Sequence, residues 1–238
     1  MAALLQRLTT VVMLLLPVSA VSAQDDPQYR MQIGGGIGME NYLGDYNGNL
    51  TRGFQPMACL VGRYEFNPVM AMRMHVAYGK LEGASKNVET YYPAPNEPMR
   101  RDDYSFKTPL VDAAVVVEYN FWAYGTGRDY LGARRFTPYA FIGIGFNFAH
   151  SSSNSVSANN FSFNLPVGLG VKYRVGRRVN LGLDYTLHFT QSDKLDGRKD
   201  PYGISSSGLF KNTDAWTSLT FTVTYSFSER CNTCNKDD

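Results

Sequence analysis

The sequence predicts an all-β fold, an eight-stranded antiparallel transmembrane β-barrel. Three observations carry that prediction: one strand with an unusual division of its faces, seven more segments of the same kind, and connections that alternate in length. The strand is 215–227, AWTSLTFTVTYSF. Leu219, Phe221, Val223, Tyr225 and Phe227 share one face; Ser218, Thr220, Thr222, Thr224 and Ser226 share the other. Period-two alternation of β-branched and aromatic residues marks a strand. Hydroxyls opposite five large apolar groups suit a wall between a narrow polar lumen and lipid. A tilted strand needs about 9–11 residues to cross a bilayer, and this segment has them. In lipid a sheet edge cannot stay unpaired, so the sheet must close.

Residues 1–23 read as a secretory signal peptide: Arg7, the apolar run 11–18, then Val21-Ser22-Ala23. That run is too short for a spanning helix. Cleavage after Ala23 would leave Gln24 first, and no Cys follows to carry a lipid anchor. The chain has 23 Lys+Arg and 21 Asp+Glu, and losing Arg7 leaves 22 basic residues. A nearly neutral chain offers no footprint for nucleic acid. No run of about 18 apolar residues follows, so no transmembrane helix is expected. The organisation expected is one barrel domain, 24–227, and a tail, 228–238. Sixteen Tyr and fourteen Phe are enough for aromatic girdles at both membrane surfaces.

The first strand, 29–40, turns Tyr29, Met31, Ile33, Ile37 and Met39 outward. Arg30, Gln32, Gly34, Gly36, Gly38 and Glu40 point inward, where glycine permits crowding and curvature. A dinucleotide-binding reading of these glycines fails, because no helix follows. A Gly/Asn-rich loop comes next. The second strand, 56–66, faces Leu60, Gly62, Tyr64 and Phe66 out and Cys59, Arg63 and Glu65 in. Asn67-Pro68 is a tight-turn signal. The third, 70–78, alternates Met70, Met72, Met74, Val76 and Tyr78 with inward Arg73 and His75. A long polar segment, 79–103, follows.

The fourth strand, 110–121, faces Val111, Ala113, Val115, Val117, Tyr119 and Phe121 out, with Asp112, Glu118 and Asn120 in. The link 122–135 is polar. The fifth, 137–148, has Ile142, Ile144, Phe146 and Phe148 out and Tyr139, Gly143, Gly145 and Asn147 in; the opposite register would put Phe141 in lipid. Residues 150–160 form a Ser/Asn-rich loop. The sixth, 161–173, and seventh, 179–189, alternate regularly about a short turn at 175–178, with Lys172, Asp184 and His188 inward. A long loop, 191–214, leads to the eighth. Connections after strands two, four and six are short or moderate, and those after one, three, five and seven are long. Outer-membrane barrels have short periplasmic turns and long extracellular loops, so both chain ends are expected in the periplasm.

The expected lumen set is Arg30, Glu40, Arg63, Glu65, Arg73, His75, Asp112, Glu118, Lys172, Arg174, Asp184 and His188. Eight strands enclose room only for their own side chains. Charges there must pair, so the set reads as a plug of ion pairs; the rarer reading is a proton or ion path. A channel for large solutes is excluded by width. The chain is not expected to be an enzyme. His150 beside Ser151, Ser152 and Ser153 lacks an oriented third group. No metal-ligand spacing and no cofactor motif occurs. Asp193, Asp196 and Asp200 do not match an EF-hand loop. Cys59 reads as a small packed side chain. Cys231 and Cys234 form CNTC in a tail expected in an oxidising compartment, where a local disulfide and a bond to a partner are both open.

Several stretches resemble one family: IGGGIGMENYLGDYNG (33–48), RYEFNPVMAMRMHVAYGKLEG (63–83), TPYAFIGIGFNF (137–148), LPVGLGVKYRV (165–175) and FKNTDAW (210–216). In this order they are similar to PorG-like barrels of the type IX secretion system of Bacteroidota. The loop after strand seven departs from that family's acidic run, reading SDKLDGRKDPYG. The resemblance implies an outer-membrane component of a protein-export machine that ties the periplasmic ring of PorK and PorN to the membrane. Its partners would be that ring and the outer-membrane lipids. The docking rim would be basic, with Arg128, Arg134, Arg135, Arg177, Arg178, Arg230 and Lys236 facing an acidic partner. The alternatives are a general structural or adhesive barrel, or a narrow transporter of small molecules.

Overall fold

The computed structural model describes residues 29–43, 53–84, 105–125, 133–153, 157–191 and 215–229. Eight strands run in chain order: β1 Tyr29–Leu43, β2 Gln55–Glu65, β3 Met70–Ala84, β4 Ser105–Asn120, β5 Phe136–Ser153, β6 Ser157–Arg174, β7 Val179–Thr190 and β8 Ala215–Glu229. Each pairs antiparallel with its chain neighbour, and β8 pairs with β1, closing the barrel. The closing seam runs from Tyr29↔Glu229 to Leu43↔Ala215. Closure removes every edge along the seam, as lipid requires.

One end carries the turns 66–69 and 175–178 and the link residues 121–125 and 133–135, together with Tyr29 and Glu229; we call it the turn end. The strand ends joined by 44–52, 85–104, 154–156 and 192–214 make the loop end. At the turn after β2, Asn67 Oδ1 accepts from the backbone N–H of Val69 at 2.8 Å and of Met70 at 2.7 Å. A side chain standing in for a backbone acceptor is why Asn opens such turns.

The alternation expected of the strands holds along the wall. Ile37, Leu60, Met74, Ile142, Leu169 and Phe221 lie exposed on the outer face. The inner face is buried and polar, and includes Ser218, Thr220, Thr222, Thr224 and Ser226. The fifth strand takes the expected register: Ile142 and Ile144 are outside and Phe141 is buried. β1 must approach β8 closely. A Cβ on Gly34 would come within 2.7 Å of Thr224 Cα, and one on Gly38 within 2.9 Å of Thr220 Cα. Backbone cannot yield as a side chain can, so these inward positions are glycine.

Three expectations are corrected. Tyr29 is not open to lipid but buried, 2% exposed, with the guanidinium groups of Arg174 and Arg178 over its ring at 6.0 and 5.8 Å. The polar segment 79–103 and the Ser/Asn loop 150–160 are partly strand. β3 reaches Ala84, β4 starts at Ser105, and β5 and β6 pair as far as Ser152↔Ser157. Hydrophilic side chains do not forbid a strand once both backbones have partners. The link 122–135 does more than connect: Tyr124 enters the barrel mouth, 1% exposed.

Candidate functional site

The lumen is filled in layers. Nearest the turn end, Asn180 Oδ1 accepts from the Tyr124 hydroxyl and from Arg174 Nε, each at 2.9 Å. The Arg174 guanidinium lies 4.8 Å over the Tyr124 ring. The link holding Tyr124 is pinned by backbone bonds from Tyr124 N–H to Pro68 O at 2.9 Å and from Arg134 N–H to Ala123 O at 2.7 Å. Burial pushes the Tyr124 phenol up to about 12, so it remains a hydrogen-bond donor throughout the neutral range.

Above it lies the charged layer. Glu118 is fully buried and in ion-pair contact with three cations: Arg63 Nε at 2.9 Å, Arg73 Nε at 2.9 Å and Lys172 Nζ at 2.5 Å. Arg73 also pairs with Asp184, which accepts a hydrogen bond from the Tyr139 hydroxyl. Lys172 Nζ lies 4.2 Å over the Tyr139 ring, and Arg73 lies 4.5 Å over that of Phe141. Gln32 ties Arg63 to Glu65: it accepts from Arg63 at 2.8 Å and donates to Glu65 at 2.5 Å. Five strands, β2, β3, β4, β6 and β7, supply the charges, so the layer braces the barrel across its diameter.

A small polar cavity follows, ≈ 30 Å³, lined by Glu40, Cys59, Arg73, His75, Asp112 and His188 among others. That is room for about two water molecules. His75 Nε2 lies 2.9 Å from Asp112, which accepts from Asn164 at 2.6 Å. His188 stacks on Trp216, ring centroids 4.5 Å apart and 7° from parallel. At the loop end an apolar lid of Tyr42, Leu81, Phe106, Leu110, Ala149 and Trp216 closes the lumen. Tyr42 and Phe106 meet edge to face at 5.0 Å.

Of the twelve residues expected in the lumen, ten are buried, while Arg30 and His75 are half-buried. Arg63, Arg73, Glu118, Lys172 and Asp184 form one network, with Glu65 joined through Gln32; His75 and Asp112 form a second. The expectation that every lumen charge pairs is corrected at Glu40: buried against Gly79, it has no ion-pair contact among the described residues, and its Oε1 has no hydrogen-bond partner there. A single methyl-free position opposite makes space for the carboxylate without supplying a cation. Gln32, Asn180, Tyr124 and Asn164 were absent from the expected set, although the first, second and fourth lie in inward rows.

On the expected rim, Arg134, Arg135, Arg177 and Arg178 are exposed at the turn end. Arg134 lies over the exposed Trp122 at 5.2 Å, and Arg178 donates to the Tyr225 hydroxyl at 2.9 Å. Arg128, Arg230, Lys236, Cys231 and Cys234 lie outside the described residues, as does the signal segment 1–23. Cys59 is a buried free thiol in an apolar patch with Met57, Val61 and Ala77. His150 faces Asn159 across the β5–β6 pair and belongs to no catalytic constellation among the described residues.

A closed eight-stranded sheet with an apolar outer belt, aromatic residues at its ends and a packed charged lumen defines a transmembrane β-barrel of the outer-membrane kind. Within that class, the chain belongs to the family described as a domain of unknown function, DUF6089, whose model matches residues 6–236. No curated protein matches the chain. Among solved structures it is similar to Ail, the attachment invasion locus protein of Yersinia pestis, solved with the heparin analogue sucrose octasulfate. Identity there is 13%, covering 84% of this chain and 99% of that one, with TM-score 0.48. It is also similar to Neisserial surface protein A, at 16% identity over 83% of this chain and 97% of that one, with TM-score 0.47. The N-terminal barrel of Pseudomonas aeruginosa OprF is 13% identical over 85% of this chain and 100% of that one, with TM-score 0.44.

Proposed function

We propose that this barrel is a non-enzymatic outer-membrane component of a type IX secretion machine, docking its periplasmic ring, PorK and PorN, through the turn end. The secretion role comes from the family resemblance of the sequence. The structural observation that favours docking over transport is the filled lumen: among the described residues, three cations on Glu118 and an aromatic lid flank a cavity of ≈ 30 Å³. A polypeptide cannot thread such a barrel, and a narrow transporter would need the charged layer to part. What remains available is surface. The turn end offers four exposed arginines on a frame fixed by Tyr124, and an acidic face would complement them. In this reading both chain ends are periplasmic and the Cys231–Cys234 tail lies beside the partner.

The test is a pull-down of the tagged chain from mildly solubilised outer membranes, with and without reductant. Recovery of the ring proteins supports docking; their loss on reduction, or with Cys231→Ser and Cys234→Ser, places a disulfide between tail and partner. Recovery of the barrel alone, with export intact in a deletion strain, overturns the secretion role. A second reading, an adhesive barrel, draws on β3–β6, which rise beyond β2 and β7 at the loop end. It predicts that trimming those strand tips, not the turn end, abolishes function.

A further inference from the structure

We infer that the wall beside the β4–β5 link holds one anionic glycerophospholipid, with its phosphate on Arg134 and an acyl chain in an adjoining groove. The inference rests on the reading above that the turn end lies at the phospholipid leaflet. It assigns Arg134 to lipid and leaves the other rim arginines to a protein partner.

Arg134 is built into position. Its N–H donates to Ala123 O at 2.7 Å, and its carbonyl accepts from Gly125 N–H at 2.9 Å. The facing segment is fixed because Tyr124 is locked into the lumen by Asn180. The guanidinium lies 5.2 Å from the Trp122 ring centroid, and Trp122 rests on Phe136 at 5.8 Å. A cation held against an aromatic face keeps its edge donors free for a planar or tetrahedral anion. Trp122 is 41% exposed, and Phe136 is 41% exposed. Together with Tyr119, Phe121 and Tyr173 they belong to an outward aromatic belt at the turn end, the level where Trp and Tyr meet lipid headgroups.

The groove starts where that cluster stops. Phe121 N–H donates to Pro138 O at 3.0 Å, and the next pair, Trp122 N–H to Thr137 Oγ1, is 3.1 Å. Phe121 and Pro138 open a trough of ≈ 340 Å³ on the outer wall, flanked by Leu169, Val171, Leu183 and Leu219. It exists because the outward row of β5 shrinks to Pro138 and Ala140 between Phe136 and Ile142, while neighbouring strands keep large side chains. A basic group at the interface beside an apolar trough on the lipid face is complementary to an anionic headgroup joined to a hydrocarbon chain. A soluble acidic protein would have no use for the trough.

The barrel, folded and purified, is exchanged into nanodiscs of mixed phosphatidylglycerol and phosphatidylethanolamine, released, and the retained lipid counted by native mass spectrometry. Wild type is expected to retain phosphatidylglycerol in preference. Arg134→Gln should cut that retention about fivefold and leave phosphatidylethanolamine unchanged. Trp122→Ala should act in the same direction by releasing the guanidinium. Val171→Trp, which fills the trough, should lower retention of both lipids. Arg177→Gln, away from the groove, should change nothing. Each variant is first checked for the heat-modifiable gel shift of a closed barrel. Equal retention of the two lipids by wild type, no effect of Arg134→Gln, or displacement by soluble glycerophosphate overturns the inference. Preference for lipid A over phosphatidylglycerol does so too. Failure of wild type to insert into bilayers at all strikes at the barrel reading instead, so the two failures are distinguishable.

Discussion

At the turn half of the lumen Glu118 lies among Arg63, Arg73 and Lys172, whereas at the loop half Trp216 lies among Tyr42, Leu81, Phe106 and Leu110. Both groups are buried and both close the tube, yet opposite physics holds them. Charges taken from water recover the cost only through their partners, so the layer is only as sound as its weakest member. Apolar side chains lose by increments when one is trimmed, because the remainder still excludes water. The charged layer is therefore brittle and specifies one arrangement of five strands, while the lid is tolerant.

The largest effect should follow from breaking the charged layer. Glu118→Ala leaves Arg63 and Lys172 without a carboxylate partner and Arg73 with Asp184 alone, and should cost about 3–5 kcal/mol. Urea titration of the barrel folded in vesicles measures it; a loss under 1 kcal/mol would mean that water already reaches the layer. Trp216→Ala should cost about 3 kcal/mol, from lost burial and the void left beside His188. The comparison sharpens in ion flux through those vesicles. Each single variant keeps one seal and should stay tight, while the double variant should leak. Leakage in Trp216→Ala alone would show that the charged layer is no seal.

The two halves also differ in how far the sequence disclosed them. Arg63, Arg73, Glu118, Lys172 and Asp184 interrupt otherwise apolar or hydroxyl rows with period two, and a charge in the lipid-spanning stretch of a strand, unlike Lys107 near a strand's end, reads as inward. Which charge meets which depends on the stagger of strands around the barrel, which no single strand carries. The lid was hidden for a different reason. Leu81, Phe106 and Leu110 keep inward parity, but the first two sit in a stretch whose charges and prolines resemble a loop. Tyr42 lies within a Gly/Asn-rich run. The alternation in GKLEGA and SFKTPL continues past its polar members, and that continuation is what lengthens β3 and β4 and carries the lid. Tyr124 had no such signal: a lone aromatic in a connection is read as surface, and only the three-dimensional path of the link brings it to Asn180.

Between the halves, the cavity wall should respond weakly. His75→Ala removes one partner of Asp112, but Asn164 still donates to that carboxylate at 2.6 Å. The expected cost is about 1.5–3 kcal/mol, the range for one hydrogen bond to a charged group. A double-mutant cycle with Asn164→Ala checks it. Coupling well above either single loss would show that Asp112 needs one donor but not both.

The smallest effect should come from the same pair of residue types in different surroundings. Lys107 Nζ lies 3.2 Å from Glu82 where β3 and β4 rise beyond β2, with the lysine side chain 76% exposed; Lys172 lies 2.5 Å from Glu118 at 1%. Water solvates Lys107 whether or not Glu82 is present, and Glu82 also accepts from Gln55 at 3.0 Å. Lys107→Ala should therefore cost no more than about 0.5 kcal/mol, and that little should vanish in high salt. Lys172→Ala, measured alongside, should cost several-fold more and be insensitive to salt, since no ion reaches the layer to screen it. If the two losses instead shrink together as salt rises, the lumen is wet, and the contrast between a brittle buried layer and a tolerant lid fails at its premise.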